Sequence, residues 1–483
     1  MLLGLDLGTT NVKAALADDA GHLLRLGSAA APLLPLAGGG VEQDLEEIWA
    51  ATRAAIRQAT SGHDTAGVRA VGISSQGGAL QLLDEHGQPL GRVVSWLDDR
   101  GRRDDERLTD ELGQAWFRQR IGHGRSGLAI GQLLRLRREH PSWLTPAQQV
   151  GFVGDCIVER LCGRAAHDAT SCGLTLLYNP GLRSYDPEVL ARLGLREAQL
   201  PALLSPRVVA GALRSEVASQ TGLPADIPVS PAIHDQYAAA LGTGVVNAGE
   251  VMFGAGTAWV LLVVMERLAE PVIDEAFVCN HPVEGLHGQI ISLRNGGSAV
   301  SWAKKLLGLD AQPGFDLDAA LASVKPGCDG VACWPFLAAY GAAGVPAETG
   351  GRLVGLQLSH TPAHVLRAVV EGLAYELNRH LDFLRQARVS AQKLVMSGGA
   401  ASSRVTPEIV ADVTGLPVEC ANVAEASVVG AVVLARALVE PGRNLKDLAL
   451  EIVPAPRVVR PGESVSFYQA KYREYVESLH ALG

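Results

Sequence analysis

The chain opens with an apolar run from Leu2 that ends at Asp6, then a polar turn, Gly8-Thr9-Thr10-Asn11, then a second apolar run. This pattern predicts two strands joined tightly, and residues 22–28, after the Asp18-Asp19-Ala20-Gly21 turn, add a third strand of a meander. Residues 44–59 place Leu45, Ile48, Thr52, Ile56 and Ala59 on one face, predicting an amphipathic helix with Asp44 and Glu47 as its capping pair. A buried strand is expected over 68–75, followed by Gln76-Gly77-Gly78. Residues 79–83 and 92–96 flank the turn Asp84-Glu85-His86-Gly87 and read as a hairpin. The segment 100–138 is dense in Arg, Asp and Glu and reads as solvated helix.

Near Leu241-Gly242-Thr243-Gly244 the pattern restarts. Residues 249–264 are again strand, Gly-Thr turn (Gly256-Thr257), strand, a degenerate repeat of the N-terminal hairpin that lacks its Asp. A long helix is expected over 365–386, where Val365, Val369, Leu373, Leu377 and Leu381 recur at i+4. Residues 393–396 form a short strand that runs into Ser397-Gly398-Gly399-Ala400-Ala401-Ser402, with a helix from about Thr406. Residues 425–438, rich in Ala and Val with Gly430 among them, read as a buried, close-packed helix. One Gly-Thr turn in each half predicts two similar domains, 1–243 and 244–483, facing one nucleotide. The three-strand start suggests an α/β fold of two actin-like (ribonuclease H-like) ATPase domains with a cleft between them.

Composition narrows the function. The 483 residues carry 47% hydrophobic and 19% charged residues and a net charge of −9, which disfavours nucleic acid or an anionic membrane as main partner. No apolar run approaches the ~18–20 residues of a membrane span. Met1 leads straight into a strand, so no leader peptide is expected. Seven scattered Cys without a C-x-x-C pair predict reduced, buried thiols in a cytoplasmic protein, and the 13 His show no metal-ligand spacing.

The first turn carries the chemistry. Gly8 lets the backbone come close to a ligand, and Thr9, Thr10 and the turn amides can face an anion. Asp6 beside them can hold hydrated Mg²⁺, and Lys13 follows on the second strand. Taken alone, this turn reads equally as an ordinary polar hairpin. It joins two strands, so a Walker-type loop is the wrong comparison. Glycines after the strand 393–396 would let a flat ring or ribose approach the backbone.

These pieces, in this order, resemble the FGGY family of carbohydrate kinases over essentially the whole chain. The matching residues are Asp6-Leu7-Gly8-Thr9-Thr10, Trp96-Leu97-Asp98-Asp99-Arg100, Asp155 with Leu161-Cys162-Gly163, Asp168 with Ser171, and His234-Asp235-Gln236 running on to Gly242. Gly256-Thr257, Asn295-Gly296-Gly297-Ser298 with Trp302, the segment 367–372, and the loop from Ser397 to Ser402 complete the set. The resemblance implies ATP and Mg²⁺ as cofactors, with Asp6 aiding metal placement. Thr9, Thr10, Lys13, Gly256 and Thr257 would contact phosphates, and Gly297, Ser301, Gly399, Ala400 and Ser403 would line the nucleotide pocket. Gln76, Gly77, Gly78, Trp96, Asp98, Asp235 and Gln236 would lie on the sugar side. Asp235 matches the family's proton-accepting Asp; it reads also as a helix N-cap, and Trp96 equally as core packing. Asp98 reads as functional, because a carboxylate after an apolar strand needs a partner.

Departures bear on the substrate. Gly77-Gly78 stand where D-xylulose kinases carry Met-His and glycerol kinases Arg-Glu, which predicts an enlarged or reshaped sugar pocket and D-xylulose as a poor substrate or one of several. The Gly-Glu-Arg-x-Pro stretch becomes Ala339-Tyr340-Gly341-Ala342-Ala343, and Val405 and Pro407 replace the usual Trp and Gln after the adenosine loop. The expected activity is ATP-dependent phosphorylation of a ketopentose such as xylulose, in a protein that works on a small sugar without nucleic acid or membrane, as a monomer or a homodimer. The alternatives are a kinase for a deoxysugar, gluconate or glycerol-like polyol, and a non-catalytic actin-fold nucleotide-binding regulator.

Overall fold

A computed structural model describes residues 1–337, 343–346 and 349–480. The departure expected at 339–342 lies outside the described residues. The chain divides into two compact units. The first comprises Met1–Val246, Glu266–Gln289 and Glu425–Val453, and the second Asn247–Met265, Ile290–Ala424 and Pro454–Gly483. Each unit is thus completed by segments distant in sequence, which a single boundary at 243/244 does not convey.

In the first unit the strands Leu2–Leu7, Asn11–Ala17 and Leu23–Ala30 form the expected meander. On its other side Leu2–Leu7 pairs in parallel with Val71–Ser75, which pairs in parallel with Pro228–His234. Period-2 alternation gives the sheet two jobs. Leu3, Leu5, Leu7, Val71 and Ile73 point into a core shared with Ile48, Ala55 and Ile56 of the helix Leu45–Thr60 and Val153 and Ile157 of the helix Val153–Cys162. Gly4 and Gly72 face the helix Ala426–Val439 instead.

That helix is buried nearly throughout and approaches the sheet backbone to backbone. A Cβ on Gly72 would stand 1.9 Å from the Ala431 carbonyl oxygen, one on Gly430 1.9 Å from that of Ala238, and one on Gly242 2.0 Å from that of Ala426. No flexible side chain can yield there, so the helix would have to lift. Gly72→Ala is therefore expected to destabilise the protein by about 1–3 kcal/mol or more, as overpacking does. Gly442→Ala, with open space around it, should be near neutral. Urea midpoints of the two variants check the contrast.

The second unit repeats the motif. Glu250–Ala255 and Trp259–Met265 form an antiparallel hairpin, and Lys393–Ser397 lies parallel to Glu250–Ala255. Val418–Cys420 and then Arg457–Val459 extend the sheet. Both units therefore place a Gly-Thr turn at the tip of a hairpin whose first strand has a parallel neighbour from later in the chain. The long helix Pro362–Gln386 packs in this unit.

Several expectations need correction. The strand expected from residue 68 begins at Val71. Asp44 caps its helix by accepting from the Glu46 and Glu47 backbone N–H groups, so Glu47 takes part through its backbone. The strand Leu80–Leu83 meets Val93–Val94 only at Leu80, and its main partner is Gln149–Phe152. Segment 100–138 is three helices, Arg102–Leu112, Gln114–Ile121 and Ala129–Glu139; the last is mostly buried and even Arg135 is 5% exposed. Ion pairs such as Arg138 with Asp104 let a highly charged segment pack. All seven cysteines are free thiols. No helix among the described residues is long and apolar enough to cross a membrane.

Candidate active site

Asp6, next to last in the strand Leu2–Leu7, is almost fully buried and accepts a 2.7 Å hydrogen bond from Ser74 Oγ. Burial first, and the nearby Asp235 carboxylate second, push its carboxyl up to about 6, against the pull of Ser74 and Lys13. Asp235 is the first residue of the helix Asp235–Gly242; His234 is the N-cap, so the expected capping role of Asp235 is not the one it plays. Its side chain is 30% exposed. Enclosure by the protein pushes its carboxyl up to about 6 as well, partly offset by the Gln236 backbone N–H. Gln236, half-buried, follows in the first turn.

The turn beside Asp6 is tied down. Trp96 Nε1 donates to Thr9 Oγ1 at 3.0 Å, and Gln43 Nε2 donates to the Thr9 carbonyl at 2.9 Å. Trp96 is 45% exposed, so it lies over the turn and outside the core. Thr10 is exposed and receives Asn11 Nδ2 on its hydroxyl. Gln76, at the end of Val71–Ser75, donates to Gln43 Oε1, while its own buried Oε1 has no partner. A buried amide oxygen left unpaired costs stability unless a ligand or water meets it.

Three readings change with the geometry. Lys13 forms a 2.6 Å ion pair with Glu425, so its charge is shared before any phosphate arrives. Asp98 accepts from the Val41 and Arg100 backbone N–H groups, the Arg100 guanidinium and Gln132 Nε2. Burial would raise its carboxyl, but these donors, Arg100 foremost, hold it below the usual range. The partner that Asp98 needed is Arg100, and its role is to fix the loop that carries Trp96, not to face a ligand. Gly77 and Gly78 do not open space: a Cβ on Gly77 would lie 2.6 Å from His234 Cδ2 and 2.8 Å from Leu174 Cβ. His234 and Leu174 fill the room beside Gly77, so the missing side chain leaves no empty space there.

In the second unit, Gly297 N–H donates to the Gly256 carbonyl and Ser298 N–H to that of Thr257, at 2.9 and 3.0 Å. This joins the Gly-Thr turn to the start of the helix Gly297–Leu306. A Cβ on Gly398 would stand 3.0 Å from the Ala255 carbonyl oxygen, so the Gly398-Gly399 loop reaches the same turn. Ser301 is exposed one helical turn on, and Ala400 is half-buried. Ser403 instead bonds Asp318 and accepts from the Thr406 N–H, so its hydroxyl is spent within the protein. Beside this loop lies a hollow of about 700 Å³ lined by Gly398, Gly399, Ser402, Asn422 and Arg457 among others, within the size range of small-molecule sites.

No group of three or more metal-ligating side chains occurs among the described residues. Mg²⁺ needs none: one or two carboxylates with phosphate oxygens and waters suffice. Asp6, with Asp235 near and the turn hydroxyls beside it, fits that donor pattern. Hydroxyls, turn amides and a carboxylate around one hairpin tip, with a second Gly-Thr turn against a glycine loop, are the parts of a phosphoryl-transfer enzyme.

Family models agree. The N-terminal domain of the FGGY family of carbohydrate kinases matches residues 1–242, and its C-terminal domain residues 251–438. The chain belongs to the FGGY family of carbohydrate kinases. This FGGY kinase is 27% identical to the xylulose kinase of Escherichia coli, over 93% of this chain and 92% of that protein. It is 29% identical to the L-xylulose/3-keto-L-gulonate kinase of the same organism, over 99% and 97%. The crystal structure of xylulose kinase from Rhodospirillum rubrum superposes with a TM-score of 0.88 at 25% identity, covering 99% of this chain and 98% of that one. The fold is thus the two-domain actin-like ATPase fold, and the protein is a sugar kinase. Neither the pairing of Lys13 with Glu425 nor the packing of His234 against Gly77 was foreseen. Glu425 lies 412 positions from Lys13, and no local pattern could pair them.

Proposed function

We propose that this FGGY kinase transfers the γ-phosphate of ATP to a hydroxyl of a ketopentose such as xylulose, with Asp235 as general base. The observation that carries the reading is Asp235 itself: a partly open carboxylate at a helix start, raised toward neutrality, beside the Asp6 turn. Phosphoryl transfer passes through a loose transition state, so the protein's work is to align the hydroxyl and take its proton late. Asp235 accepts that proton. Thr9, Thr10 and the Gly256-Thr257 turn orient phosphates, and Trp96 and Gln76 meet the sugar, the latter through its unpartnered Oε1. When bound through Asp6, Mg²⁺ would neutralise phosphate charge.

The xylulose kinase relatives favour a ketopentose, while His234 packed into the Gly77 position gives this pocket a shape of its own. An ADP-release assay across D-xylulose, L-xylulose, deoxysugars, gluconate and glycerol tests the reading. A ketopentose should give the highest kcat/KM, with D-xylulose weak or one of several accepted sugars. Highest activity on gluconate or glycerol would replace the ketopentose, and a fast, selective D-xylulose kinase would overturn the argument from the two glycines.

A further inference from the structure

We propose that Leu128 is a specificity-determining residue that gives the sugar pocket an apolar wall, so that the site tolerates a sugar lacking the hydroxyl that faces it. This rests on the proposed reaction at Asp235. The strands Leu2–Leu7, Val71–Ser75 and Pro228–His234 run parallel, with Leu7, Ser75 and His234 side by side. Their carboxyl ends therefore deliver the Gly8 turn, the Gln76-Gly77-Gly78 loop and Asp235 to one edge of the sheet, the edge at which open α/β sheets bind ligands. Gly78 sits in that loop at φ +72°, a conformation closed to residues with a side chain. A side chain for this spot has to come from elsewhere in the chain, and Leu128 supplies it. Its Cδ2 and Cδ1 lie 3.4 and 3.5 Å from where a Cβ on Gly78 would stand.

The backbone shows that this leucine is held under strain. Leu128 has φ 50° and ψ −116°, a conformation that tight turns give to glycine. The turn is fixed on both sides. Ser126 Oγ donates to Asp105 Oδ1 at 2.6 Å and the Ser126 N–H to Thr109 Oγ1 at 3.0 Å, and the helix Ala129–Glu139 starts directly after Leu128. Glycine would adopt this geometry without strain, so the isobutyl group must contribute something glycine cannot. Leu176 offers the contrast. It too has a positive φ, 61°, but it is fully buried, and core packing accounts for it. Leu128 is only half-buried, so packing offsets less of its strain and part of its surface stays open beside the loop. That surface carries no donor or acceptor. A site built on hydrogen bonds rejects an analogue lacking the bonded hydroxyl by roughly 10⁴-fold or more, whereas an apolar wall separates the two by about 100-fold or less. A leucine wall therefore leaves one hydroxyl of the sugar unread.

The test measures kcat/KM on the best sugar found and on each of its singly deoxygenated forms that keep the phosphorylated hydroxyl. Wild type, Leu128→Asn and Leu128→Gly are compared, with thermal melting alongside. Both replacements suit a positive φ. Wild type should use one deoxy form within about 100-fold of its parent. In Leu128→Asn, whose amide can bond a hydroxyl, that form should fall at least about tenfold further behind the parent. Leu128→Gly, freed of strain, should melt no lower than wild type and lose about tenfold on the deoxy form, as removal of an apolar contact does. Rejection of every deoxy form by wild type at roughly 10⁴-fold, or equal ratios in wild type and Leu128→Asn, overturns the proposal. So does a Leu128→Gly variant that melts lower with unchanged ratios, which would make Leu128 a packing residue. Asp235→Asn is run on the same sugars: if that variant stays fast, the base assignment itself fails, while the ratios of the Leu128 variants still report on the wall.

Discussion

Asp235→Asn should cut kcat by at least about 100-fold, the usual contribution of a general base, while ATP binding stays near normal. The amide keeps the shape of the carboxylate and can still accept a hydrogen bond, but it cannot take the proton of the attacking hydroxyl. His234 holds the N-cap position of the helix Asp235–Gly242 and no side chain caps it, so loss of the carboxylate does not remove an N-cap, and the variant should fold. The same carboxyl sets the pH dependence. Burial raises it to about 6, so it is protonated below that pH and ionised above. The rate should therefore fall as pH drops through about 6, not through the usual carboxylate range near 4. Asp6, also raised to about 6, protonates in the same window and steepens the limb. Single-turnover rates and ATP titrations of the variant, with a pH profile of wild-type kcat/KM, check both statements. Near-normal turnover in the variant would remove Asp235 from the reaction.

How much of this was legible in the sequence depends on the range of each interaction. The hairpins, the helix Leu45–Thr60 with its Asp44 cap and the buried helix Ala426–Val439 were readable because period and capping are local signals. The repeat of hairpin and Gly-Thr turn was visible because each copy fits within about fifteen residues. The assembly of the units was not. Glu425–Val453 returns to complete the first unit, and its glycine-to-carbonyl contacts leave no mark except small residues at Gly4, Gly72 and Gly430. The segment 100–138 misled because charge was read as exposure. Asp104 pairs there with Arg138 and Asp105 accepts from Ser126, while Arg135 is buried against Gln132 and Glu139 of its own helix, and Asp105 is pushed up to about 7 by burial. At the candidate site, the motifs pointed to Asp6, Thr9 and Asp235, but they could not say which side chains are free. Asp98 is consumed by Arg100, Ser403 by Asp318, and the space over Gly77 by a histidine 157 positions later in the chain.

Asp6→Asn should lower kcat/KM by about 100-fold, the scale on which a preorganised charge at a reacting phosphate acts, and make the remaining activity depend on far higher Mg²⁺. The substitution keeps a side-chain oxygen for Ser74 Oγ, which now donates to Asp6 Oδ1, and removes only the charge. Its effect on stability should run the other way. The folded state holds this carboxyl at about 6 instead of 3.8 because burial and Asp235 both oppose its ionisation. The extra stability that a raised carboxyl brings is complete below about pH 4 and is lost as pH climbs through 6. At pH 7 the wild type therefore carries an ionised group that its surroundings disfavour by a few kcal/mol, at about 1.4 kcal/mol per pKa unit. Asn carries no such charge. The variant should match or exceed wild-type stability at pH 7 and lose that advantage at pH 4. Urea midpoints at the two pH values and Mg²⁺ titrations of the rate separate the outcomes. A variant that is both slow and unstable at pH 7 would make Asp6 a structural residue, and an unchanged Mg²⁺ requirement would take the metal away from it. A stable variant with a raised Mg²⁺ requirement is what a functional carboxylate, held in a costly position for its chemistry, must give.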